Sequence, residues 1–136
     1  MRRQIAVGLH LGIAGIPWFT TDIGGFAGGD VDDPAFVELL IRWFQFGAFT
    51  PVMRLHGDRM PAEPVHAADG SPRLPTGAPY VRELMRDAHR NGRPVMRALF
   101  HEFPADETAW SVSDAYMFGP VLLRDDRQAH LFGRVT

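Results

Sequence analysis

The run from Pro17 to Gly29 (PWFTTDIGGFAGG) constrains the fold more than any other part of the chain. Its β-branched and aromatic residues predict a strand from about Ile16 to Thr21. The glycines that follow Asp22 permit backbone angles that other residues avoid, so they predict a tight turn. The sequence therefore predicts a strand that delivers the carboxylate of Asp22 to its end, where that carboxylate can meet a ligand.

Two other interpretations fit the same residues. The side chain of Asp22 can simply cap the turn, or the glycines can form a phosphate loop. Neither the GxxxxGKS/T nor the GxGxxG spacing is present, so nothing in the pattern favours phosphate. The turn cap and the ligand site both stay open at this point.

Composition limits the classes of protein to which the chain can belong. The 136 residues are 46% hydrophobic and 11% aromatic, which is enough for one domain with a packed core. A formal net charge of -2 gives no basic surface, so we expect neither nucleic acid nor membrane as a partner. The absence of cysteine excludes disulfides and thiolate metal sites, and it fits a cytoplasmic protein.

The N-terminus superficially resembles a secretion signal, because two arginines precede a mostly apolar run. His10 interrupts that run, no small-residue cleavage site is evident, and the run passes directly into the strand before Asp22. The apolar residues at positions 5, 9 and 13 recur every four positions. We therefore predict a short helix over residues 3–13.

A second helix and strand repeat this arrangement. Asp33 and the proline after it are a strong helix start, and an apolar run predicts that the helix continues to about Phe46. Residues 48–55 predict a strand, which is followed by His56 and a glycine. Alternating helices and strands indicate a parallel sheet or barrel, whose ligands gather beyond the carboxyl ends of the strands. Asp22 and His56 both lie at such ends, so we expect them to share a pocket.

The remaining sequence is less regular. Residues 57–79 lack periodicity and predict a long irregular loop. An amphipathic helix is predicted over residues 80–90, strands over 95–103 and 116–123, and a polar turn over 124–127. There is no internal repeat and no low-complexity segment.

Five motifs stand in this order along the chain: PWFTTDIGGF from Pro17, RWFQFGAF from Arg42, PVMRLHG from Pro51, GRPVMRALFHEFP from Gly92 and YMFG from Tyr116. In that order they resemble the late part of the catalytic domain of glycoside hydrolase family 31, which includes α-glucosidases and α-xylosidases. The resemblance covers nearly all of the chain up to about residue 123. It implies an α/β fold, in which the last strands and helices of a (β/α)8 TIM barrel run into the start of a β-sandwich domain.

The resemblance also implies where the two domains lie. Residues 1–104 would belong to the barrel, with the irregular loop inside them, and residues 105–136 would begin a truncated sandwich. Residues 16–21 would form the seventh barrel strand and residues 50–55 the eighth. The helices over residues 3–13 and 34–46 would be the sixth and seventh of the barrel.

A substrate-binding role is implied for five residues. Asp22 and His56 match family positions that hydrogen-bond hydroxyls of the sugar just before the cleaved bond. Trp18, Phe19 and Arg54 would lie in or beside the same pocket wall. The implied partner is a carbohydrate, an α-glucoside or α-xyloside, and we expect no cofactor. We also expect no metal, because the histidines are scattered and no HExxH motif is present.

The sequence departs from the family in three ways. Two aspartates of the family act as nucleophile and acid/base with retention of configuration, but no carboxylate here stands in their motifs. We therefore assign no catalytic residue and expect both aspartates upstream of Met1. In relatives, a further segment follows the GAP motif. Here the GAP motif at residues 77–79 runs directly into the predicted helix, so that segment is missing, and the sandwich domain is unfinished. These departures predict a fragment, whose further partner would be the missing part of the barrel or a homo-oligomer.

Two functions remain open. The chain can be a segment of a glycosidase that hydrolyses O-glycosyl bonds and can supply its sugar-binding wall. Alternatively, it can be a non-catalytic remnant or a carbohydrate-binding fragment without turnover. A third hypothesis, in which Asp22 and His56 form a hydrolytic pair of their own, lacks the nucleophile or metal that such a pair needs.

Overall fold

The structure is a computed structural model that describes residues 2–30, 32–58 and 78–125 of the chain. Within these ranges the long helices are α1 (Arg2–Ile13), α2 (Pro34–Gly47) and α3 (Ala78–Asn91). Each lies where the sequence predicts a helix, so the three helix predictions are confirmed. α2 also begins as predicted, because the side chain of Asp33 accepts a hydrogen bond of 2.9 Å from the backbone N–H of Ala35.

The two predicted barrel strands are present only as a pair of irregular segments. We call residues 16–22 the first paired segment and residues 51–56 the second. Residues 48–50 do not join the second segment, because their backbone N–H groups donate back to the last turn of α2. A strand inside a parallel sheet forms hydrogen bonds with a neighbouring strand along both of its edges. Among the described residues, each paired segment has a neighbour along one edge only, and that neighbour is the other segment. The regular strands predicted over 16–21 and 48–55 are therefore wrong in extent.

The two paired segments run parallel to each other. The backbone N–H of Val52 donates to the carbonyl of Phe19 at 3.2 Å, and that of Ile23 donates to the carbonyl of Arg54 at 3.1 Å. Asp22 and Arg54 form the parallel bridge between them. The predicted parallel arrangement is thus present locally, over one bridge.

An antiparallel sheet occupies the end of the described chain. Its strands stand in the order β1 (Met96–Arg97), β2 (Ala115–Phe118) and β3 (Leu122–Asp125). The strand predicted over residues 95–103 is correct only for β1, because the chain turns into a 3-10 helix at Leu99–His101. The single strand predicted over residues 116–123 is a hairpin instead, since Gly119 has a φ of 65° and the proline after it has no N–H to continue a ladder.

Two further features differ from the sequence predictions. The short helix α4 (Glu107–Ser111) was not predicted, although its cap has a readable signal: the side chain of Asp106 accepts a hydrogen bond of 2.9 Å from the N–H of Thr108. In the predicted polar turn, Arg124 and Asp125 belong to β3, while residues 126 and 127 lie outside the described residues. The irregular loop predicted over 57–79 also lies almost entirely outside them. No helix in the described ranges is long and apolar enough to cross a membrane.

One hydrophobic core joins the helices to the sheet. Its buried members come from α1, α2, α3, the first paired segment and the sheet with the residue before it: Ile5, Leu9, Phe19, Phe46, Leu84, Ala88, Val95, Met96, Tyr116 and Phe118. Two tyrosine hydroxyls reach backbone carbonyls across it, Tyr80 to Phe118 at 2.9 Å and Tyr116 to Phe49 at 3.0 Å. The sheet includes residues on both sides of the domain boundary predicted at 104, so the core spans that position.

A buried arginine connects α3 to the sheet. Arg97 is only 4% exposed, and its Nε donates a hydrogen bond of 2.7 Å to the carbonyl of Pro94. Its two terminal nitrogens pair with Glu102, and with Asp87 of α3 at 3.3 Å. The buried charge is therefore balanced by two carboxylates that are each about one quarter exposed.

Gly119→Ala is expected to destabilise the protein strongly. Its positive φ costs a residue with a Cβ about 1–2 kcal/mol, and the Cβ would overlap the Tyr80 hydroxyl and Leu84. Such overpacking adds about 1–3 kcal/mol. The matched control is Gly92→Ala, which has a φ of 70° but no atom within 4 Å of the new Cβ. Denaturant unfolding should show a clearly larger decrease in the free energy of unfolding for Gly119→Ala than for Gly92→Ala. Equal decreases would contradict the packing argument.

The charge of Asp87 is expected to make stability depend on pH. Its pKa lies below the ordinary value, chiefly because the Asn91 amide donates a hydrogen bond of 2.7 Å to the carboxylate. Desolvation raises the pKa, whereas the positive charges of Arg93 and Arg97 lower it further. A depressed pKa stabilises the fold above the unfolded value of 3.8, and this contribution disappears as the pH falls through the folded pKa. Asp87→Asn should therefore lower the thermal midpoint more at about pH 7 than at about pH 2. Equal effects at both pH values would refute the assignment.

Candidate functional site

The two paired segments separate their side chains by alternation. Odd-numbered side chains pack towards the helices: Phe19 and Ile23 are 7% and 0% exposed, and they lie against Gly8 of α1 and Gly47 of α2. Even-numbered side chains share the other side, because alternate residues of an extended chain point to opposite faces. We call this other side the open side, and its residues include Trp18, Thr20, Asp22, Val52, Arg54 and His56.

Asp22 and Arg54 form an ion pair across the open side. The Nε of Arg54 lies 3.2 Å from Oδ1 of Asp22, and the side chains are 47% and 27% exposed, respectively. An ion pair this exposed contributes at most about 1 kcal/mol to stability, so its main effect is to fix the two groups relative to each other. Because both side chains stay partly exposed, Oδ2 of Asp22 and the terminal N–H groups of Arg54 remain accessible to a ligand.

The turn after Asp22 is closed by its backbone and not by its side chain. The N–H of Gly25 donates to the Asp22 carbonyl at 2.8 Å, and Gly24 has a φ of 83°. A positive φ at the third turn position is what a type II turn requires, and glycine provides it without strain. The carboxylate of Asp22 therefore pairs with Arg54. It does not cap the turn, which is what the alternative interpretation predicts.

His56 lies beside this turn, against Phe26. The two ring centroids are 5.6 Å apart, with the rings tilted at 51°, and the N–H of Asp58 donates to the Phe26 carbonyl at 2.7 Å. The ring of Phe26 is 51% exposed. Sequence reasoning did not assign Phe26 to the site, although an aromatic residue directly after Gly24 and Gly25 was a signal that could have indicated it.

The structure joins two of the residues predicted for the site, Asp22 and Arg54, and it separates Phe19 from them. Asp22, Arg54 and His56 lie at the ends of the two paired segments, and Trp18 stands on the same side with 49% of its surface exposed. Phe19 belongs to the core and faces α1 instead. Its odd position in the alternation is the physical reason that it separates from the other four.

The chemistry of the open side suits a ligand that carries hydroxyl groups. A carboxylate accepts hydrogen bonds, a guanidinium donates them, and an imidazole does either. Rings of Trp18 and Phe26 add apolar surface nearby. In the described ranges, no group of three histidine, aspartate or glutamate side chains is placed to hold a metal ion.

A separate cavity lies beside the sheet. It has a volume of about 240 Å³ and is lined by Arg93, Pro94, Arg97, His101, Glu102 and Pro120. None of the residues predicted for the site borders it. Arg97 and its ion-pair partner Glu102 form part of its wall, and the cavity is distinct from the open side.

Comparison with known proteins identifies the family. Residues 1–90 match the sequence model of the glycosyl hydrolases family 31 TIM-barrel domain. The chain belongs to glycoside hydrolase family 31. Residues 92–125 match the model of the family 31 C-terminal domain.

Individual family 31 proteins show the same relationship. The chain is 67% identical over 60 residues to the uncharacterized family 31 glucosidase ORF2 of Pseudescherichia vulneris, a match that covers 44% of this chain and 11% of that protein. It is 34% identical over 131 residues to the α-xylosidase of Saccharolobus solfataricus, covering 90% and 18%. The chain thus spans less than a fifth of the length of these curated relatives.

A solved family 31 structure has the same fold over the matched part. The crystal structure of an α-xylosidase from a soil metagenome, complexed with xylose, superimposes with a TM-score of 0.75 at 47% sequence identity. The match covers 88% of this chain and 22% of that one. We refer to this protein below as the soil xylosidase.

Proposed function

We propose that this chain supplies the sugar-binding wall of a retaining α-glycosidase. The observation that carries the proposal is the Asp22–Arg54 ion pair beside His56, on the open side of two parallel segments. In a family 31 TIM-barrel sequence these segments would take the places of the seventh and eighth barrel strands. Active sites of such barrels lie at the carboxyl ends of the strands, and Asp22 and His56 stand at those ends.

Each residue then has a distinct role in the proposed site. Asp22 accepts and His56 accepts or donates hydrogen bonds with sugar hydroxyls, and a hydrogen bond to a charged group contributes about 1.5–3 kcal/mol. Arg54 positions the Asp22 carboxylate and donates from its terminal nitrogens. Trp18 offers an apolar ring to the C–H face of the sugar. Phe19 supports the first paired segment from the core.

The proposed substrate is an α-xyloside or an α-glucoside. Support comes from relatives named as an α-xylosidase and a glucosidase, and from the soil xylosidase, which is complexed with xylose. The reaction would proceed with retention through a glycosyl-enzyme intermediate. The nucleophile and the acid/base would be the two family aspartates that match no residue of this chain, so its own residues bind and orient the sugar.

A segment exchange tests the proposal. The stretch of the soil xylosidase that matches residues 2–58 is replaced by those residues, which gives an enzyme that we call the hybrid xylosidase. We expect it to hydrolyse p-nitrophenyl α-xyloside with a kcat/KM within about tenfold of the parent, a difference of about 1.4 kcal/mol. A folded hybrid that binds xylose without turnover would favour the carbohydrate-binding alternative, and one that does neither would reject the proposal.

A further inference from the structure

The cavity beside the sheet is bordered by parts of the chain that are fixed to one another. The end of α3, β1, the 3-10 helix and the hairpin between β2 and β3 all contribute to its lining. The N–H of Gly119 donates to the carbonyl of Val95 at 2.8 Å, which joins the hairpin to the start of β1. The volume of about 240 Å³ is just below the range of about 300–1,000 Å³ for sites that hold drug-sized ligands. A ligand of one small ring therefore suits it.

Arg97 brings fixed hydrogen-bond donors to this lining. Its contacts with Pro94, Asp87 and Glu102 use three of the five N–H groups of a guanidinium. Each terminal nitrogen therefore keeps one N–H that has no partner in the described ranges. Buried N–H groups are normally paired, so a ligand in the cavity can accept hydrogen bonds from them.

His101 and Glu102 add polar atoms whose positions are also constrained. The ring of His101 stacks on that of Phe100, with centroids 5.0 Å apart, and Phe100 stacks on Trp110 at 4.5 Å. Oε1 of Glu102 pairs with Arg97, which leaves Oε2 as an acceptor. The imidazole can donate or accept. The lining thus offers a ligand both donors and acceptors.

The charges around the cavity favour a neutral ligand. Arg97 is already balanced by Glu102 in the lining and by Asp87 of α3. Arg93 is the other arginine of the lining and is exposed, and ion pairs of exposed side chains contribute little. A small anion would also lie beside the carboxylate of Glu102. A ligand with several hydroxyl groups can use the donors and the acceptors without that repulsion.

We propose that this cavity is a second sugar site, which binds one neutral monosaccharide through the polar side chains of its lining. The open side does not take part, because none of its residues borders the cavity. The inference therefore goes beyond the proposed function and does not depend on it. A sugar bound here connects the end of α3 to the sheet and to the hairpin.

The test uses the full 136-residue chain with Asp22→Asn and His56→Ala, so that the open side contributes no hydrogen bond to a sugar. The chain is labelled with ¹⁵N, and xylose is added while the backbone amide signals of Arg97 and Glu102 are followed by NMR. We expect both signals to shift and to saturate with a dissociation constant of about 1–10 mM, the affinity of a few hydrogen bonds. Inorganic phosphate is titrated in parallel.

A double variant identifies the site. Arg93→Ala together with His101→Ala should weaken xylose binding at least about tenfold, as the loss of two hydrogen-bonding groups implies. The matched control is Arg82→Ala, which removes an exposed arginine of α3 that does not border the cavity. This control should leave the affinity unchanged.

A second measurement keeps the proposal testable if the chain does not fold alone. The whole matched stretch of the soil xylosidase is replaced by the residues of this chain, and the protein is crystallised with xylose. We expect a xylose in the cavity within hydrogen-bond distance of His101 or Glu102. An empty cavity in that crystal together with no saturable shift in solution would overturn the proposal. Phosphate that shifts the two amide signals when xylose does not would also overturn it and would indicate an anion site. Failure of the open side to bind sugar leaves these results unchanged.

Discussion

Asp22→Asn in the hybrid xylosidase is expected to lower kcat/KM for p-nitrophenyl α-xyloside by about 10- to 150-fold. This range is the rate equivalent of losing a charged hydrogen bond of about 1.5–3 kcal/mol to the sugar in the transition state. Asparagine keeps the shape of the side chain, so the core around Ile23 is preserved. Arg54 loses its charged partner, but that ion pair is exposed and contributes little to folding.

His56→Ala should have an effect of the same order, because the imidazole lies at the end of the neighbouring segment. The thermal midpoint should change little for either variant. The control is Glu38→Gln, because Glu38 forms an exposed ion pair with Arg42 on α2, and this variant should retain full kcat/KM. A decrease of less than about threefold for both site variants, or roughly 0.7 kcal/mol, would show that neither residue contacts the sugar.

Arg97→Met is expected to lower the free energy of unfolding by about 3 kcal/mol. That value is the lower end of the range for a buried ion pair broken by removing one partner. The lower end applies because Asp87 and Glu102 are each 26% exposed and can regain water. Methionine fills the space of the aliphatic stem, so most of the loss should come from the charge and its hydrogen bonds. Net stabilities of domains are about 5–15 kcal/mol, which makes this a large fraction.

The matched control for this prediction is Arg86→Met. Arg86 pairs with Glu83 on the same helix, but the side chains are 54% and 66% exposed. Exposed pairs contribute about 0–1 kcal/mol. Denaturant unfolding of the two variants should therefore differ by at least about 2 kcal/mol, the difference between these ranges. Similar losses would mean that the burial of Arg97 has no energetic importance.

The three long helices could be predicted from the sequence, because the residues that start and end a helix lie within a few positions of its ends. Asp33 and the proline after it define the start of α2 through hydrogen bonding at the helix end, and Asn91 and Gly92 mark the end of α3. The same reasoning placed Asp22 and His56 at the ends of neighbouring segments. The sequence could not show that the carboxylate of Asp22 pairs with Arg54, since that contact joins residues 32 positions apart.

The strand predictions failed where the pairing partner decides the structure. The stretch at residues 95–103 contains several apolar residues that fit a strand, but only β1 pairs with β2, and the chain then turns into a 3-10 helix. The family resemblance implies that Phe19 and Trp18 both lie in or beside the pocket wall. Alternation along the first paired segment separates them, and only contact with Gly8 of α1 shows which one faces the core. The cytoplasmic location stays a prediction.

The crystal structure of the hybrid xylosidase with bound xylose measures the central claim directly. The distances that decide it are those from the Asp22 carboxylate oxygens and the His56 ring nitrogens to the nearest sugar hydroxyls. We predict at least one distance of about 2.6–3.2 Å from each residue, the range of a hydrogen bond. Xylose bound with both residues farther than about 4 Å from every hydroxyl, beyond hydrogen-bond range, would contradict the assignment of this chain as the sugar-binding wall.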